Sequence, residues 1–187
     1  MAKRNQVRII GGRWRRRLLE FPSTAGLRPT PDRVRETLFN WLGQTLEGKD
    51  CLDLFAGSGS LGFEAASRAA RRVVMIEQDR AACAALRTNI GLLRADNVEL
   101  HCQDAFRFLG SDQRIFDLVF LDPPYQQQLL PELLTKVETH LGGESLVYLE
   151  ADHLPQIPAG YQVVHRSRAG QVNYLLLESA DHGSQIQ

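Results

Sequence analysis

A strand pattern, a glycine-rich loop and a helical pattern follow one another without interruption between residues 51 and 70. The strand signal covers Cys51 to Phe55, the loop continues to Gly62, and apolar residues at helical spacing begin at Leu61. A strand that turns on glycines into a helix presents backbone N–H groups to a nucleotide or another adenosine-containing ligand. The chain is therefore expected to build an α/β fold around this unit.

Strand and helix patterns then alternate along the chain, which predicts a parallel sheet with crossover helices. Near the end, residues 162–167 and 171–178 are separated by too few residues for a crossover helix, so they are expected to form an antiparallel hairpin. The sequence predicts a doubly wound, mostly parallel sheet that ends in this hairpin. The other predicted strands are 51–55, 72–77, 98–102, 115–121 and 145–150, and the predicted helices are 60–70, 79–93 and 129–140.

The apolar run from Ile115 to Leu121 stops at Asp122-Pro123-Pro124-Tyr125. In open α/β sheets, ligands bind at the carboxyl ends of such strands. A carboxylate, a proline carbonyl and an aromatic ring suit an exocyclic amine on a flat base, because two acceptors hold the NH₂ group while the ring stacks on the base. This predicts Asp122, Pro123 and Tyr125 as catalytic residues. A plain proline-rich turn is the alternative.

The spacing of Gly57, Gly59 and Gly62 fits a dinucleotide loop as well as other adenosine cofactors. Asp53 favours another cofactor, because a carboxylate this close to the loop would repel a pyrophosphate and attract an ammonium group. S-adenosylmethionine carries an ammonium and a sulfonium group and no phosphate. Glu77, 20 residues after Gly57, suits a ribose hydroxyl in either case.

A third acid follows the predicted strand 98–102. Asp104, with Ala105 beside it, could meet the adenine amine of the cofactor. Asp104 and Asp79 also fit the N-cap position of a helix, where a carboxylate accepts a hydrogen bond from the backbone. Both interpretations of Asp104 stay open. The predicted cofactor-binding residues are Asp53, Gly57, Gly59, Glu77, Asp104 and Ala105.

Together, the loop 53–59, Glu77, Asp104 and the tetrapeptide 122–125 resemble the ordered motifs of class I S-adenosylmethionine-dependent amino-methyltransferases. Residues 28–42, with Ile-Ile-Gly-Gly at 9–12, resemble more narrowly the RsmD family, and the resemblance runs from about Val7 to Glu178. It implies a Rossmann-like methyltransferase fold, S-adenosylmethionine as cofactor, and methyl transfer to the N2 amine of a guanine in bacterial 16S ribosomal RNA. The partner would be this RNA, within the small subunit or its assembly intermediate.

The net charge of zero hides an uneven distribution. Residues 1–40 contain ten Lys/Arg and three Asp/Glu, so they carry +7 and the remainder carries −7. This suggests a basic hairpin, 7–10 paired with 18–21, that faces RNA beside an acidic body that holds a cationic cofactor. Trp14 either stacks on a base or packs beneath the hairpin. The predicted RNA-binding residues are Arg13, Arg15, Arg16, Arg17, Arg33 and Arg35, with a solvated surface as the alternative.

We expect a basic hairpin and helix over 1–43, a methyltransferase domain over 44–180 and a disordered tail over 181–187. Cys51, Cys83 and Cys102 are interpreted as small buried hydrophobes in a reducing compartment, and no metal site is expected. No apolar run approaches a membrane-spanning length, so a cytoplasmic location is expected.

Three alternatives to the guanine methyltransferase stay open at this point. The glycine spacing and Glu77 would also suit an NAD-dependent oxidoreductase, and the basic hairpin would suit a noncatalytic RNA-binding module. Within the methyltransferases, the tetrapeptide is compatible with the N6 amine of adenine in DNA or RNA. The sequence motifs alone do not separate adenine from guanine.

Overall fold

The computed structural model describes residues 4–23, 29–123 and 127–180. Within these ranges the strands are β1 Arg4–Arg8, β2 Leu18–Pro22, β3 Asp50–Asp53, β4 Arg72–Glu77, β5 Val98–Cys102, β6 Phe116–Leu121, β7 Leu141–Ala151, β8 Tyr161–Ala169 and β9 Val172–Ser179. The α-helices are α1 Asp32–Leu42, α2 Ser60–Ser67, α3 Arg80–Leu93, α4 Ala105–Ser111 and α5 Leu130–Val137. Short 3-10 turns, Gln127–Leu129 and Glu138–His140, flank α5.

Seven of the strands form one sheet in the order β5-β4-β3-β6-β7-β9-β8. The first five in this order pair in parallel, while β9 pairs antiparallel with both β7 and β8. The α/β fold with a mostly parallel sheet and a final antiparallel hairpin is thus confirmed. The carboxyl ends of β3, β4, β5 and β6 lie along one edge, where a doubly wound sheet binds its ligands.

The central strands are buried on both sides, as expected for a parallel sheet covered by helices. On one side, α1, α2 and α3 pack with the arm, residues 4–22, into a single apolar cluster. On the other side, α4 and α5 cover the sheet. Every residue of α2 is buried, because this helix lies between the sheet and the arm.

The arm is a two-stranded antiparallel hairpin, β1 with β2, closed by the arginine loop, residues 9–17. The pairing runs from Arg4 opposite Pro22 to Arg8 opposite Leu18, so β1 begins earlier than the predicted Val7. Trp14 is only 8% exposed, and its backbone N–H donates to Ser67 Oγ at 2.9 Å. Trp14 therefore packs beneath the hairpin, which confirms the second of its two interpretations.

One buried carboxylate joins the arm to the core. Glu64 on α2 is fully buried and accepts hydrogen bonds from the backbone N–H groups of Ile10 at 2.8 Å and Gly11 at 2.7 Å. It also accepts from Arg68 Nε at 2.9 Å and lies 3.5 Å from Arg35 Nη1. Both oxygens are satisfied and two guanidinium groups neutralise the charge, so this burial is tolerated.

Several predicted boundaries and one element differ from the structure. Helix α4 was absent from the predicted elements, because its seven residues give too few turns for a helical pattern. Helix α2 ends at Ser67 rather than residue 70, and Ala69 has a left-handed φ of 68°. Strand β7 begins at Leu141, earlier than predicted, and its pairing with β6 shifts register near its start.

The prediction of three free buried thiols is wrong for two of the cysteines. Cys51 is free and buried, as predicted. Cys83 and Cys102 form a disulfide, with Cα atoms 6.1 Å apart, and Cys102 is exposed. The pair forms because the end of β5 lies beside the first turn of α3, and neither strand nor helix pattern shows this proximity.

None of the described helices is long and apolar enough to cross a membrane. The predicted tail, residues 181–187, lies outside the described residues.

Candidate active site at the carboxyl edge of the sheet

The glycine loop turns the chain sharply from β3 into α2. Gly57 and Gly59 have φ angles of 51° and 79°, in the left-handed region that glycine adopts without strain. A Cβ atom on Gly59 would also lie 2.6 Å from the Phe63 ring. The Ala56 N–H donates to Ile76 O at 2.9 Å, which fixes the loop against the end of β4. The two glycines are therefore required for the shape of the loop.

Asp53 anchors this loop from below. Its side chain is 2% exposed, and Oδ2 accepts a hydrogen bond from the Gly62 N–H at 2.9 Å. Burial raises the pKa of Asp53 to about 7, and the charge of Glu77 adds to the rise. The sequence indicated only attraction of a ligand ammonium for this residue; the structure shows a loop-fixing role. The ammonium contact stays a prediction.

Glu77 lies at the end of β4 and faces the loop. Its Oε2 accepts from the Gly57 N–H at 2.8 Å, and its Oε1 accepts from the Asp79 N–H at 2.7 Å. An ionised carboxylate offers about four acceptor positions, so Glu77 can still accept hydrogen bonds from a ligand. The structure thus places it beside Gly57, as the cofactor prediction requires.

Two of the acids cap helices, which is one of the roles that their sequence positions predicted. Asp79 Oδ1 accepts from the Ala82 N–H at 2.8 Å at the start of α3. Asp104 Oδ1 accepts from the Arg107 N–H at 3.0 Å at the start of α4, and Ala105 follows it as a buried residue. The side chain of Asp104 is exposed. The N-cap role of Asp104 is confirmed, and a contact with adenine stays a prediction.

Asp122 and Pro123 follow the last residue of β6 at the same edge of the sheet. Asp122 is partly exposed and Pro123 is buried. Burial raises the pKa of the Asp122 carboxyl well above its usual value, and the charges of Glu150 and Asp53 contribute to the rise. Pro124 and Tyr125, the rest of the predicted tetrapeptide, lie outside the described residues.

Glu150 lies next to the predicted catalytic motif, although nothing in the sequence predicted it. The strands β6 and β7 pair in parallel with Leu121 opposite Leu149, so Asp122 and Glu150 follow side by side. Glu150 Oε1 accepts a hydrogen bond from the buried Tyr148 hydroxyl at 2.8 Å. No sequence motif marks this residue, and only the pairing of the two strands could have found it.

Four acids, Asp53, Glu77, Asp122 and Glu150, thus lie at the carboxyl ends of four strands. None of them forms an ion pair with a Lys or Arg in the part of the chain that the structure describes. By contrast, Asp50 at the opposite end of β3 pairs with both Arg71 and Arg72. The cleft therefore gathers acids that have no cationic partner among the described residues, an arrangement that suits a cationic ligand and disfavours a pyrophosphate.

The predicted RNA-binding arginines fall into three groups. Arg15, Arg16 and Arg33 are exposed. Arg13 Nη2 donates to Asn97 Oδ1 at 2.6 Å, and Arg17 Nη2 lies 3.4 Å from Leu92 O, so these two hold the arginine loop on the core.

Arg35 is the exception, and its prediction as an RNA-binding residue is wrong. It is fully buried, so neither the RNA contact nor the solvated surface given as its alternative applies. Its guanidinium donates to Thr30 O at 3.1 Å, Arg8 O at 2.8 Å and Asp32 Oδ1 at 2.6 Å. These contacts tie α1 to the arm and leave no surface for a phosphate.

Among the described residues, no group of three or more His, Cys, Asp or Glu side chains is arranged to hold a metal ion. The four acids of the cleft therefore offer a charged surface without a metal centre in the part that the structure covers.

Comparison with known proteins gives consistent results along nearly the whole chain. Curated relatives named ribosomal RNA small subunit methyltransferase D are 44% identical over 183 residues in Escherichia coli and 39% identical over 184 residues in Haemophilus influenzae. The first alignment covers 95% of this chain and 92% of the relative, and the second covers 94% and 95%. These relatives do not favour an oxidoreductase.

Solved structures give the same result. The Escherichia coli protein yhhF has a TM-score of 0.86 at 43% identity and covers 95% of this chain and 100% of its own. The Haemophilus influenzae protein HI0767 has a TM-score of 0.80 at 37% identity, with the same coverage of both chains. The resemblance to the RsmD family is thereby confirmed. Because the family model described as conserved hypothetical protein 95 matches residues 7–178, the chain belongs to that family.

Proposed function

We propose that this protein transfers a methyl group from S-adenosylmethionine to the exocyclic N2 amine of a guanine in the 16S RNA of the small ribosomal subunit. The observation that carries the proposal is the placement of Asp122-Pro123 beside the glycine loop, at one edge of the sheet. A base amine and a methyl donor could meet there. The choice of small-subunit ribosomal RNA as substrate rests on the names of the relatives, and the choice of the guanine N2 amine rests on the resemblance to the RsmD family.

The cleft fits S-adenosylmethionine by its charge. Glycine at position 59 keeps the sharp turn of the loop beside it, because a Cβ there would clash with the buried Phe63 and Leu86 side chains. The uncompensated acids suit the ammonium and sulfonium groups, and Glu77 lies beside Gly57, where it can accept hydrogen bonds from ribose hydroxyls. When bound, the cofactor supplies an activated methyl group whose leaving group is a neutral thioether. No metal or covalent enzyme intermediate is needed for such a displacement.

Asp122 and Pro123 would act on the amine by positioning it. The lone pair of a guanine amine is delocalised into the ring, so the amine is a weak nucleophile. If the Asp122 carboxylate and the Pro123 carbonyl each accept one of the two amine hydrogens, the lone pair turns toward the methyl group. Holding reactants in line in this way can account for much of the rate of such a reaction. Tyr125 would stack on the base.

After the transfer the amine carries a positive charge and must lose a proton. Asp122, which the proposal places against the amine, can take it. Burial raises the pKa of Asp122, so this carboxylate binds a proton more readily than an exposed aspartate does. Its partial exposure provides a route by which the proton reaches solvent. The base must be unpaired or flipped out, because its amine is otherwise engaged in a base pair.

The proposal can be tested with small subunits from a strain that lacks its own guanine methyltransferase of this family. The purified protein, labelled S-adenosylmethionine and either these subunits or naked 16S RNA are incubated, and the RNA is digested to nucleosides. We expect label in N2-methylguanosine and in no adenosine derivative. Label in N6-methyladenosine would instead support the adenine alternative. Calorimetry with S-adenosylhomocysteine and with NAD, where only the first should bind, tests the cofactor independently.

A further inference from the structure

Two carboxylates, rather than one, face the position proposed for the target base. The pairing of Leu121 with Leu149 places Asp122 and Glu150 at matching positions of adjacent strands. Adjacent strands lie about 4.8 Å apart, which is less than the width of a purine. Side chains alternate along a strand, so Asp122 shares a face with Phe120, and Glu150 shares the same face with Tyr148. The ring contact between Phe120 and Tyr148, 6.3 Å between centroids, confirms that these faces coincide.

Glu150 is held in place by two hydroxyl groups. The Tyr148 hydroxyl donates to Oε1 at 2.8 Å, and the Thr30 side chain also hydrogen-bonds the carboxylate. Burial raises the pKa of Glu150, while these two hydroxyl groups favour its ionised form and oppose the rise. The residue is still partly exposed. A fixed and accessible carboxylate beside the motif is unused in the transfer described above.

The two bases that suit the catalytic motif differ at the atom next to the amine. In guanine, N1 lies beside the N2 amine and carries a hydrogen. In adenine, N1 lies beside the N6 amine and carries a lone pair. A carboxylate that faces N1 therefore accepts a hydrogen bond from guanine and is repelled by adenine. Asp122 and Pro123 cannot make this distinction, because both amines present two hydrogens.

We propose that Glu150 contacts N1 of the target base and selects guanine over adenine, a role that rests on the function proposed above. Asp122 and the Pro123 carbonyl would bind the amine, and Glu150 would accept the N1 hydrogen beside it. A mismatched base would leave Glu150 facing a lone pair in a cleft with little water, which is the kind of contact that gives strong discrimination. Thr30 and Tyr148 are positioning residues in this scheme, because they act through Glu150.

The test uses 2-aminopurine, which keeps the amine at position 2 but has a lone pair at N1. Small subunits are reconstituted with 16S RNA that carries either guanine or 2-aminopurine at the methylated position. The wild-type protein should have a much higher kcat/KM for guanine. In Glu150→Gln, the amide can donate to the N1 lone pair, so the ratio of guanine to 2-aminopurine activity should fall by roughly 10–100-fold.

The control is Glu144→Gln, which makes the same change at an exposed position of the same strand and should keep the wild-type ratio. Cofactor affinity, measured by calorimetry, should be unchanged in both variants. A lower overall rate with an unchanged ratio in Glu150→Gln would overturn the proposal, because it would show a purely structural role. If Glu150→Gln does not fold, Glu150→Asp decides, since it keeps the charge but draws the carboxylate back; a wild-type ratio there would equally overturn it.

A different result is expected if the proposed methyltransferase function itself is wrong. In that case the wild-type protein would not methylate guanine at all, whatever the variants do. Equal wild-type activity on guanine and 2-aminopurine would leave the methyltransferase function intact and overturn the role of Glu150 alone.

Discussion

Two aspartates at opposite ends of the sheet show how surroundings decide the behaviour of a single residue. Asp50 pairs with Arg71 and Arg72, and the Arg71 hydrogen bond, with help from Arg72, holds its pKa below the usual value despite partial burial. Burial raises the pKa of Asp122, and the two charged groups that act on it, Glu150 and Asp53, are acids that add to the rise. A carboxylate of the second kind costs folding free energy when ionised, which is typical of functional sites.

The pH dependence of methyl transfer should reflect the raised pKa of Asp122. Asp122 can accept a hydrogen bond from the amine on either oxygen only when it is ionised. Because its pKa is raised, activity should be lost as the pH falls, with a midpoint above the ordinary aspartate pKa of about 3.9. Because Asp122 and Glu150 influence each other, the midpoint belongs to the pair. Initial rates at saturating cofactor across a pH series measure it. In Glu150→Gln, which removes the neighbouring charge, the midpoint should move down; an unmoved midpoint would contradict the coupling.

Substitution of Asp122 should separate catalysis from cofactor binding. Asp122→Ala removes one charged acceptor from the amine, so the barrier should rise by about 2–4 kcal/mol while affinity for S-adenosylhomocysteine stays nearly constant. Glu77→Ala should show the reverse order, with affinity lost first, because Glu77 contacts Gly57 of the loop. Single-turnover rates and calorimetry on both variants test this. Near-normal turnover by Asp122→Ala would refute its assignment.

At the scale of elements, the arginine loop combines two roles that sequence alone could not separate. Arg15 and Arg16 project from its surface, whereas Arg13 and Arg17 contact the core near residues 92–97. Arg13 also lies over the Trp14 ring, with Cζ 4.2 Å from its centroid. The first two arginines are therefore available to phosphates, and the other two stabilise the arm.

We expect Arg15→Gln combined with Arg16→Gln to lower the slope of log affinity against log salt by about 0.7–0.9 for each phosphate that the variant no longer binds. Stability should be nearly unchanged. The matched pair, Arg13→Gln with Arg17→Gln, should instead lower the melting temperature and change the slope less. Filter binding to small subunits across a salt series, with thermal melting of each variant, distinguishes the two pairs. Equal slopes for the wild type and the first pair would favour a merely solvated loop.

The three cysteines should differ in reactivity according to the elements that carry them. In the reduced protein, Cys102 should be alkylated first, because it is exposed while Cys83 and Cys51 are buried. Cys51 should react only after denaturation, because burial raises its pKa. Timed alkylation followed by peptide mass mapping gives the order, and without reductant the Cys83–Cys102 peptide should be found. Early labelling of Cys51 would contradict the packing of β3.

Elements were predictable from the sequence to the extent that their signals are local. Short apolar runs located β3, β4 and β6, with glycine following β3 and proline following β6. The short link at 168–170 indicated the final hairpin. The role of Arg35 was not predictable, because its burial depends on Glu64, 29 residues away in sequence. Glu150 was missed for the same reason: its importance arises from the pairing of β7 with β6.

At the scale of the whole molecule, Glu64 should be among the most sensitive positions for stability. Its removal would leave the buried Arg35 and Arg68 without their shared carboxylate, and breaking such a buried ion pair costs about 3–5 kcal/mol. Glu64→Ala should therefore lower the free energy of unfolding, measured by urea denaturation, by about 3–5 kcal/mol. The control is Glu36→Ala, at an exposed position of α1, which should change the free energy of unfolding little. A small effect of Glu64→Ala would show that the arm and core are joined elsewhere.

The attachment of the arm through Glu64 bears on attempts to redirect this protein to other RNAs. The helix that carries Glu64 begins at Ser60, directly after Gly59, so the element that receives the arm is also the element on which the cofactor loop turns. A chimera that exchanged residues 1–43 alone would bring in a hairpin without its matching carboxylate and guanidinium partners. Such a graft would disturb the proposed methyl-donor site together with the proposed RNA surface. Exchange of the hairpin, α1 and α2 as one cassette is the design that the molecule permits.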